Sequence, residues 1–156
     1  MKLVGIERQV MTSGLWAAIL PWRNDPTVYS WTKTDRVIDL KEHLDWFKDR
    51  EPKLASEPIF AYFRESTYLG MARLDKINTN CFEVSIIVNP EYRGCGYGAR
   101  ILEDICQFPL TNKLSEFKLL AVVHSANLAS LALFYSSGFT KVSEQHPFVF
   151  LEFKYI

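Results

Sequence analysis

Through the middle of the chain short apolar runs rich in β-branched and aromatic residues are separated by short polar turns, a pattern that predicts strands. Residues 58–64 form one such run, the Glu65-Ser66-Thr67 turn leads to a partner at 68–76, and Asn78-Thr79-Asn80 turns into a third at 81–89. These three predict an antiparallel meander. A helical period takes over elsewhere. Residues 38–48 place Leu40, Leu44 and Phe47 on one helical face, and 96–107 and 128–137 read as helices, with Pro109 marking the end of the first. Near the start, Thr12 or Ser13 caps a helix through 15–20 that Pro21 ends, and Trp22-Arg23-Asn24-Asp25-Pro26 reads as a turn. Residues 1–9 read as a short first strand or a tied-down terminus. A strand at 117–123 and a closing hairpin, 139–142 with 148–155, complete the set. The helix between the strands at 81–89 and 117–123 is the crossover that parallel neighbours need. The expectation is one α/β domain over residues 1–156, a mixed and mostly antiparallel sheet with flanking helices.

One junction carries candidate chemistry. A β-branched run through Ile86, Ile87 and Val88 stops at Pro90, and Arg93, Gly94, Cys95, Gly96, Tyr97, Gly98 and Ala99 lead into the next helix. Glycines at every second position let the backbone turn tightly and present N–H groups at a helix N-terminus, where negative charge is favoured. Arg93 adds a fixed positive charge. The natural guest is a phosphate. A P-loop would need a Gly-Lys-Ser/Thr ending, which is absent. Gly94-Cys95-Gly96-Tyr97-Gly98-Ala99 satisfies the dinucleotide fingerprint literally. However, the following strand closes on His124 and offers no acid for a ribose, and the unit comes after the middle of the chain.

The stretch resembles the signature of the GNAT acetyltransferase superfamily: hydrophobic strand, x-Pro-x-x-Arg-Gly-x-Gly-x-Gly, helix. A second segment, Asn127-Leu128-Ala129-Ser130-Leu131-Ala132-Leu133-Phe134-Tyr135-Ser136-Ser137-Gly138-Phe139, resembles that family's coenzyme-binding and thiolate-protonating segment. The two motifs together cover roughly residues 82–142. The resemblance implies acetyl-CoA as donor, its pyrophosphate held by the residues from Arg93 to Ala99. It also implies a strand at Ile86–Val88 that splays from its parallel neighbour, leaving N–H groups to hold the acetyl carbonyl and the pantetheine arm. Negative charge builds on that carbonyl oxygen as an amine attacks, and a fixed N–H stabilises it. Asn127, Ser130 and Phe134 are then coenzyme contacts, Asn127 serving also as a helix N-cap. Tyr135 is the candidate acid for the departing thiolate, and Glu83 the candidate base acting through water, with His124 as the other choice for that role. Cys95 is read as contributing its backbone N–H.

The acceptor side is expected in the first half. Trp22, Arg23, Trp31 and His43 lie in segments that resemble the front ends of two GNAT branches. One acetylates ribosomal-protein N-termini, the other amino groups on nucleotide-linked sugars. The Trp-Arg-Asn-Asp-Pro turn and the Glu42-His43-Leu44-x-Trp46-Phe47 helix favour the sugar branch. The alternatives are a peptide N-terminal acetyltransferase and an acetyl-CoA-binding module without turnover.

Composition narrows the partners. Eighteen basic and eighteen acidic side chains cancel, which counts against a nucleic-acid or anionic-membrane surface and against a basic ribosomal substrate. No apolar run approaches a membrane span and no secretory signal opens the chain, so a cytoplasmic location is expected. Three cysteines without C-x-x-C spacing and three scattered histidines give no reason to expect a metal. The partner expected is a small-molecule amine. The exposed edge of the final hairpin leaves room for pairing in a homodimer.

Overall fold

The computed structural model describes residues 5–155. Strands β1 (Glu7–Val10), β2 (Ile59–Arg64), β3 (Thr67–Asn78) and β4 (Cys81–Val88) lie side by side, each antiparallel to the next. Strand β5 (Phe117–His124) joins β4 in parallel, and β6 (Thr140–Gln145) and β7 (Phe148–Tyr155) close the sheet in the order β1-β2-β3-β4-β5-β7-β6. The sheet is therefore mostly antiparallel with one parallel pair. Of the segment at 1–9, residues 1–4 lie outside the described residues and β1 accounts for part of the rest.

The helices are α1 (Ser13–Ala18), α2 (Leu20–Arg23), α3 (Pro26–Tyr29), α4 (Leu40–Arg50), α5 (Tyr97–Cys106), α6 (Phe108–Thr111) and α7 (Leu128–Ser136). Thr12 is the α1 cap: its Oγ1 accepts from the Leu15 amide at 3.2 Å. Pro21 and Pro109 do not simply stop helices as expected from sequence. Each sits in the first turn of a new short helix, where its missing N–H costs nothing and its fixed φ suits the helix. The inward face of α4 also differs from expectation. Leu40, the first residue after the Asp39 cap, is 49% exposed, whereas His43 and Phe47, one turn apart, are buried.

Two cores sandwich the sheet. On one face Ile101, Leu102 and Ile105 of α5 pack against Ala72, Leu74, Phe82 and Val84, with Leu119 and Ala121 of β5 continuing the layer. On the other, Trp16, Ile19 and Phe47 close over Ile59, Ala61 and Met71. Full burial of a side chain the size of Phe47 stabilises the fold by about 1.5–3 kcal/mol. Gly70 of β3 makes the close approach of α5 feasible. A Cβ there would lie 2.7 Å from the Ile87 carbonyl oxygen and 2.9 Å from Ile101 Cδ1.

The feature that positions the site is the parting of β4 and β5. Cys81, Phe82 and Glu83 pair with Lys118, Leu119 and Leu120, and there the parallel ladder ends. From Val84 to Val88 strand β4 remains paired to β3 alone.

Candidate active site

Beyond Val88 the chain turns on Asn89, whose Oδ1 accepts from the Glu91 amide at 3.1 Å while its Nδ2 donates to the Tyr68 carbonyl at 2.9 Å. One 3₁₀ turn, Pro90–Tyr92, then leads into the glycine loop. Gly94 and Gly96 have φ of +77° and +82°, the left-handed region that glycine enters without penalty, and the space where a Cβ would stand is open at both. Gly96 is the N-cap of α5 and supplies no side-chain cap, so the first-turn amides of that helix have no intrahelical acceptor. Arg93 is anchored beside them: its Nη1 donates to Thr27 Oγ1 at the start of α3. Thr27 in turn donates from its amide (2.8 Å) and its hydroxyl to Asp25 Oδ1. Those bonds, the hydroxyl's first, hold the Asp25 carboxyl below the usual carboxylate range, with the charge of Arg93 a smaller cause. Open space, uncapped amides and a positioned guanidinium fit a pyrophosphate.

This loop opens into a cavity of about 840 Å³ that also takes in the parted strands and the helices at the front of the chain. The cavity gathers most of the candidate residues. Ile86, Ile87 and Val88 of β4 line it, as do Arg93, Gly94, Gly96, Tyr97, Gly98 and Ala99. Asn127, Ser130 and Phe134 do so from α7, and Arg23, Trp31 and His43 from the first half. Asn127 is also the α7 cap, its Oδ1 accepting from the Ser130 amide at 3.2 Å. His43 is structurally committed: it stacks on Trp16 at 4.6 Å, and its Nε2 lies 2.6 Å from the Trp16 carbonyl oxygen, while Trp16 Nε1 donates to the His43 carbonyl at 2.8 Å. Burial pulls its pKa down and favours the neutral ring, outweighing that bond, which acts in the opposite direction. His124 also lines the cavity. Its Nδ1 accepts from the Ala126 amide at 3.1 Å, and Trp31 packs against the ring at 4.9 Å.

Four candidates are not brought into the lining. Tyr135 is 45% exposed and absent from it, whereas its neighbour Phe134 is 5% exposed and present. Successive helical residues are about 100° apart, so only one of the two faces inward. Trp22 packs partly buried on the second core instead. Cys95 is exposed, its Sγ 3.8 Å from the Arg93 carbonyl oxygen. Glu83 lies on the last paired rung of β4, one alternation before Ser85, which does line the cavity.

Arg73 and Ser85, which the sequence did not single out, and Glu42 and Trp46, quoted only as part of a helix motif and given no role, line the cavity as well. Ser85 and Arg73 are cross-strand partners of β4 and β3, on the same sheet face as Ile87 and Met71. An arginine inside an otherwise apolar β3 run was the available signal. Among the described residues no group of His, Cys, Asp and Glu is arranged to hold a metal ion.

The model of the acetyltransferase (GNAT) family matches residues 16–139, most of the chain. No curated protein is similar enough to count as a relative. Solved structures share the fold. Protein yncA of Salmonella typhimurium, described as an acetyltransferase and solved with its cofactor acetyl-CoA, is 20% identical over 96% of this chain and 94% of its own, with a TM-score of 0.77. Ribosomal-protein-alanine N-acetyltransferase of Brucella melitensis is 21% identical over 94% and 98%, TM-score 0.76. Spermidine N-acetyltransferase of Vibrio cholerae, solved with CoA and spermine, is 16% identical over 97% and 96%, TM-score 0.82. Sheet order, parted strands, glycine cradle and family match agree: the chain belongs to the GNAT family of acetyltransferases.

Proposed function

We propose that this acetyltransferase moves the acetyl group of acetyl-CoA to the primary amine of an amino sugar, nucleotide-linked, by direct attack of the amine. The observation that carries this reading is the single cavity joining the glycine cradle to Arg23 and Trp31 through the gap between β4 and β5. No cysteine lines that cavity, in keeping with a route that forms no acyl-enzyme. Acetyl-CoA supplies the activated acetyl group as a thioester.

The chain's own residues divide the remaining work. Arg93 and the amides at the start of α5 bind the pyrophosphate. The strand at Ile86–Val88, freed from β5, offers backbone N–H groups to the thioester oxygen. Asn127 and Ser130 border the path of the pantetheine arm. Glu83 takes the proton of the acceptor ammonium through water, from its place beside Ser85 at the foot of the gap. Phe134 has no proton to give and Tyr135 faces away, so the departing thiolate draws its proton from water. With an ordinary thiol pKa of about 8.5, it leaves readily without an acid. Trp31 gives a sugar or base a flat surface, and Arg23 meets a phosphate.

Under this reading the protein works in the cytoplasm. No helix among the described residues is long and apolar enough to cross a membrane. The test is acetyl-CoA consumption with nucleotide-linked amino sugars and with peptides bearing free N-termini, products identified by mass. Acetylated sugar supports the reading. Preference for the peptide replaces the acceptor, and coenzyme binding without consumption of any amine offered, α-amino acids and amino-sugar phosphates included, would make the protein a binding module.

A further inference from the structure

We propose that Arg73 and Arg23 form an anion seat at the acceptor end of the cavity, so that the amine this enzyme acetylates carries a carboxylate or phosphate on the same molecule. The inference rests on the acetyltransferase reading and narrows its acceptor by charge.

Among the described residues four Asp, Glu, Lys or Arg side chains line the cavity: Arg23, Arg73, Arg93 and Glu42. Arg93 belongs to the coenzyme cradle. Glu42 is already matched, because Arg36 grips it with two hydrogen bonds of 3.0 and 2.7 Å. Arg23 and Arg73 remain. Arg23 spends one N–H on the Arg36 carbonyl oxygen at 3.1 Å. Arg73 lies over the Trp46 ring, its guanidinium carbon 4.6 Å from the centroid, and Arg50 lies 4.9 Å from the same ring. Asp75 is the acid shared by both arginines. Arg50 Nη2 bonds its Oδ1, while Arg73 Nε stands 3.3 Å from Oδ2, an ion pair whose angle falls short of a hydrogen bond. Arg73 Nε and Arg50 Nη1 are thus buried donors without a hydrogen-bond partner. Glu83 adds a weaker attraction on Arg73.

Two guanidiniums sharing one carboxylate leave positive charge in excess. Burial is the largest influence on Arg73 and lowers its pKa, with Asp75 opposing and Arg50 pushing the same way as burial. On Arg23 burial comes first, then Arg36, with Glu42 opposing and Arg73 adding to the lowering, and both guanidiniums end below their usual value. Cations removed from water are destabilising unless an anion answers them. A planar guanidinium answers carboxylate and phosphate oxygens in pairs, which a lysine would not. Trp46, held against Arg50 and Arg73, fixes the fork in place. Cross-strand from Ser85, the stem of Arg73 starts about 7 Å from Ile87 along the strand, so the anion sits within one small molecule's length of the transferred acetyl group. An acceptor bearing only ammonium groups meets repulsion at the same spot.

Matched acceptors that share an amine and differ only in the anion test the seat. One arm compares α-amino acids with their amides, for a carboxylate. The other compares amino-sugar phosphates and nucleotide-linked amino sugars with the free amino sugars, for a phosphate. Spermidine is the all-cation control. In the full-length protein, kcat/KM for the anionic member of one arm should exceed its neutral partner by about tenfold or more. Arg73→Met and, separately, Arg23→Gln should erase that ratio while acetyl-CoA affinity stays at the wild-type value, and Arg73→Lys should restore only part of it. A merely structural arginine would lower both members equally, and that result overturns the seat. So do equal rates for neutral and anionic partners, a preference for spermidine, or no turnover of either arm by protein that binds acetyl-CoA. Absence of acetyl-CoA binding would instead strike the enzymatic reading underneath.

Discussion

Glu83 and Leu120 form the last rung between β4 and β5, and five residues of β4 continue past it paired only to β3. Backbone groups freed this way inside a fold need a partner, from solvent or from a ligand. Amide exchange therefore distinguishes the two sides of that rung. Peptides spanning 84–88 and 93–98 should gain protection when acetyl-CoA is added, by about tenfold or more at ligand well above its Kd. The open-edge strand β6 should not change. Protection confined to β6, or none in β4, would move the coenzyme elsewhere.

Tyr135→Phe should leave kcat within about twofold of wild type, since the phenol lies on the outer side of α7. Phe134→Ala, by contrast, should cost about 3–5 kcal/mol of stability, because that ring is buried and meets Phe139 edge-on at 5.0 Å. A large loss of kcat in Tyr135→Phe with unchanged coenzyme affinity would return the acid role to the phenol.

Gly70→Ala places a methyl group 2.7 Å from the Ile87 carbonyl oxygen, a backbone atom that cannot swing aside. Overpacking of this kind costs about 1–3 kcal/mol. Thermal unfolding should show a Tm lowered by several degrees, and because Ile87 lines the cavity, weaker acetyl-CoA binding as well. An unchanged Tm would mean that β3 and β4 can separate at no cost.

The cysteines give a pH signature. Burial, with a smaller push from Glu103, raises the Cys106 thiol from 9.0 to about 12. Its folded pKa lies above its unfolded one, so the folded state holds the proton more tightly. The associated stability is complete below pH 9 and falls as pH rises from there towards 12. Denaturant midpoints across that range should decline, and a flat profile would contradict the partial burial of Cys106 against the core. At pH 8 a thiol reagent should label exposed Cys95 in the native protein and spare Cys106.

Most of the strand pattern was legible because β2 through β4 are apolar runs bounded by polar turns, and because β5 alternates, with Phe117, Leu119, Ala121 and Val123 buried between more exposed residues. The cradle was legible because its glycines and Arg93 are adjacent in sequence. What escaped was set by direction and by distance along the chain. Whether Phe134 or Tyr135 faces inward depends on a rotation of one helical step, which adjacent aromatics in an apolar helix leave unspecified. Prolines read as stops turned out to start α2 and α6, since a proline fits the first turn as well as it breaks the last. Arg73, Trp46 and Arg50 come from β3 and α4, and only folding brings them together. Trp22 and Trp31 are alike in composition, but one packs on the second core and the other lines the cavity.

Calorimetric titration of acetyl-CoA into wild type and Gly96→Glu tests the central claim most directly. The variant puts a carboxylate into the cradle at a position where the space beyond the backbone is open; the φ of +82° strains any side chain there, so circular dichroism and thermal unfolding check that the variant is folded. Micromolar binding by wild type, reduced by a hundredfold or more in the folded variant, is the predicted result; that ratio corresponds to about 2.7 kcal/mol. Equal affinity in both proteins would contradict the cradle, and no binding by well-folded wild type would contradict the account as a whole.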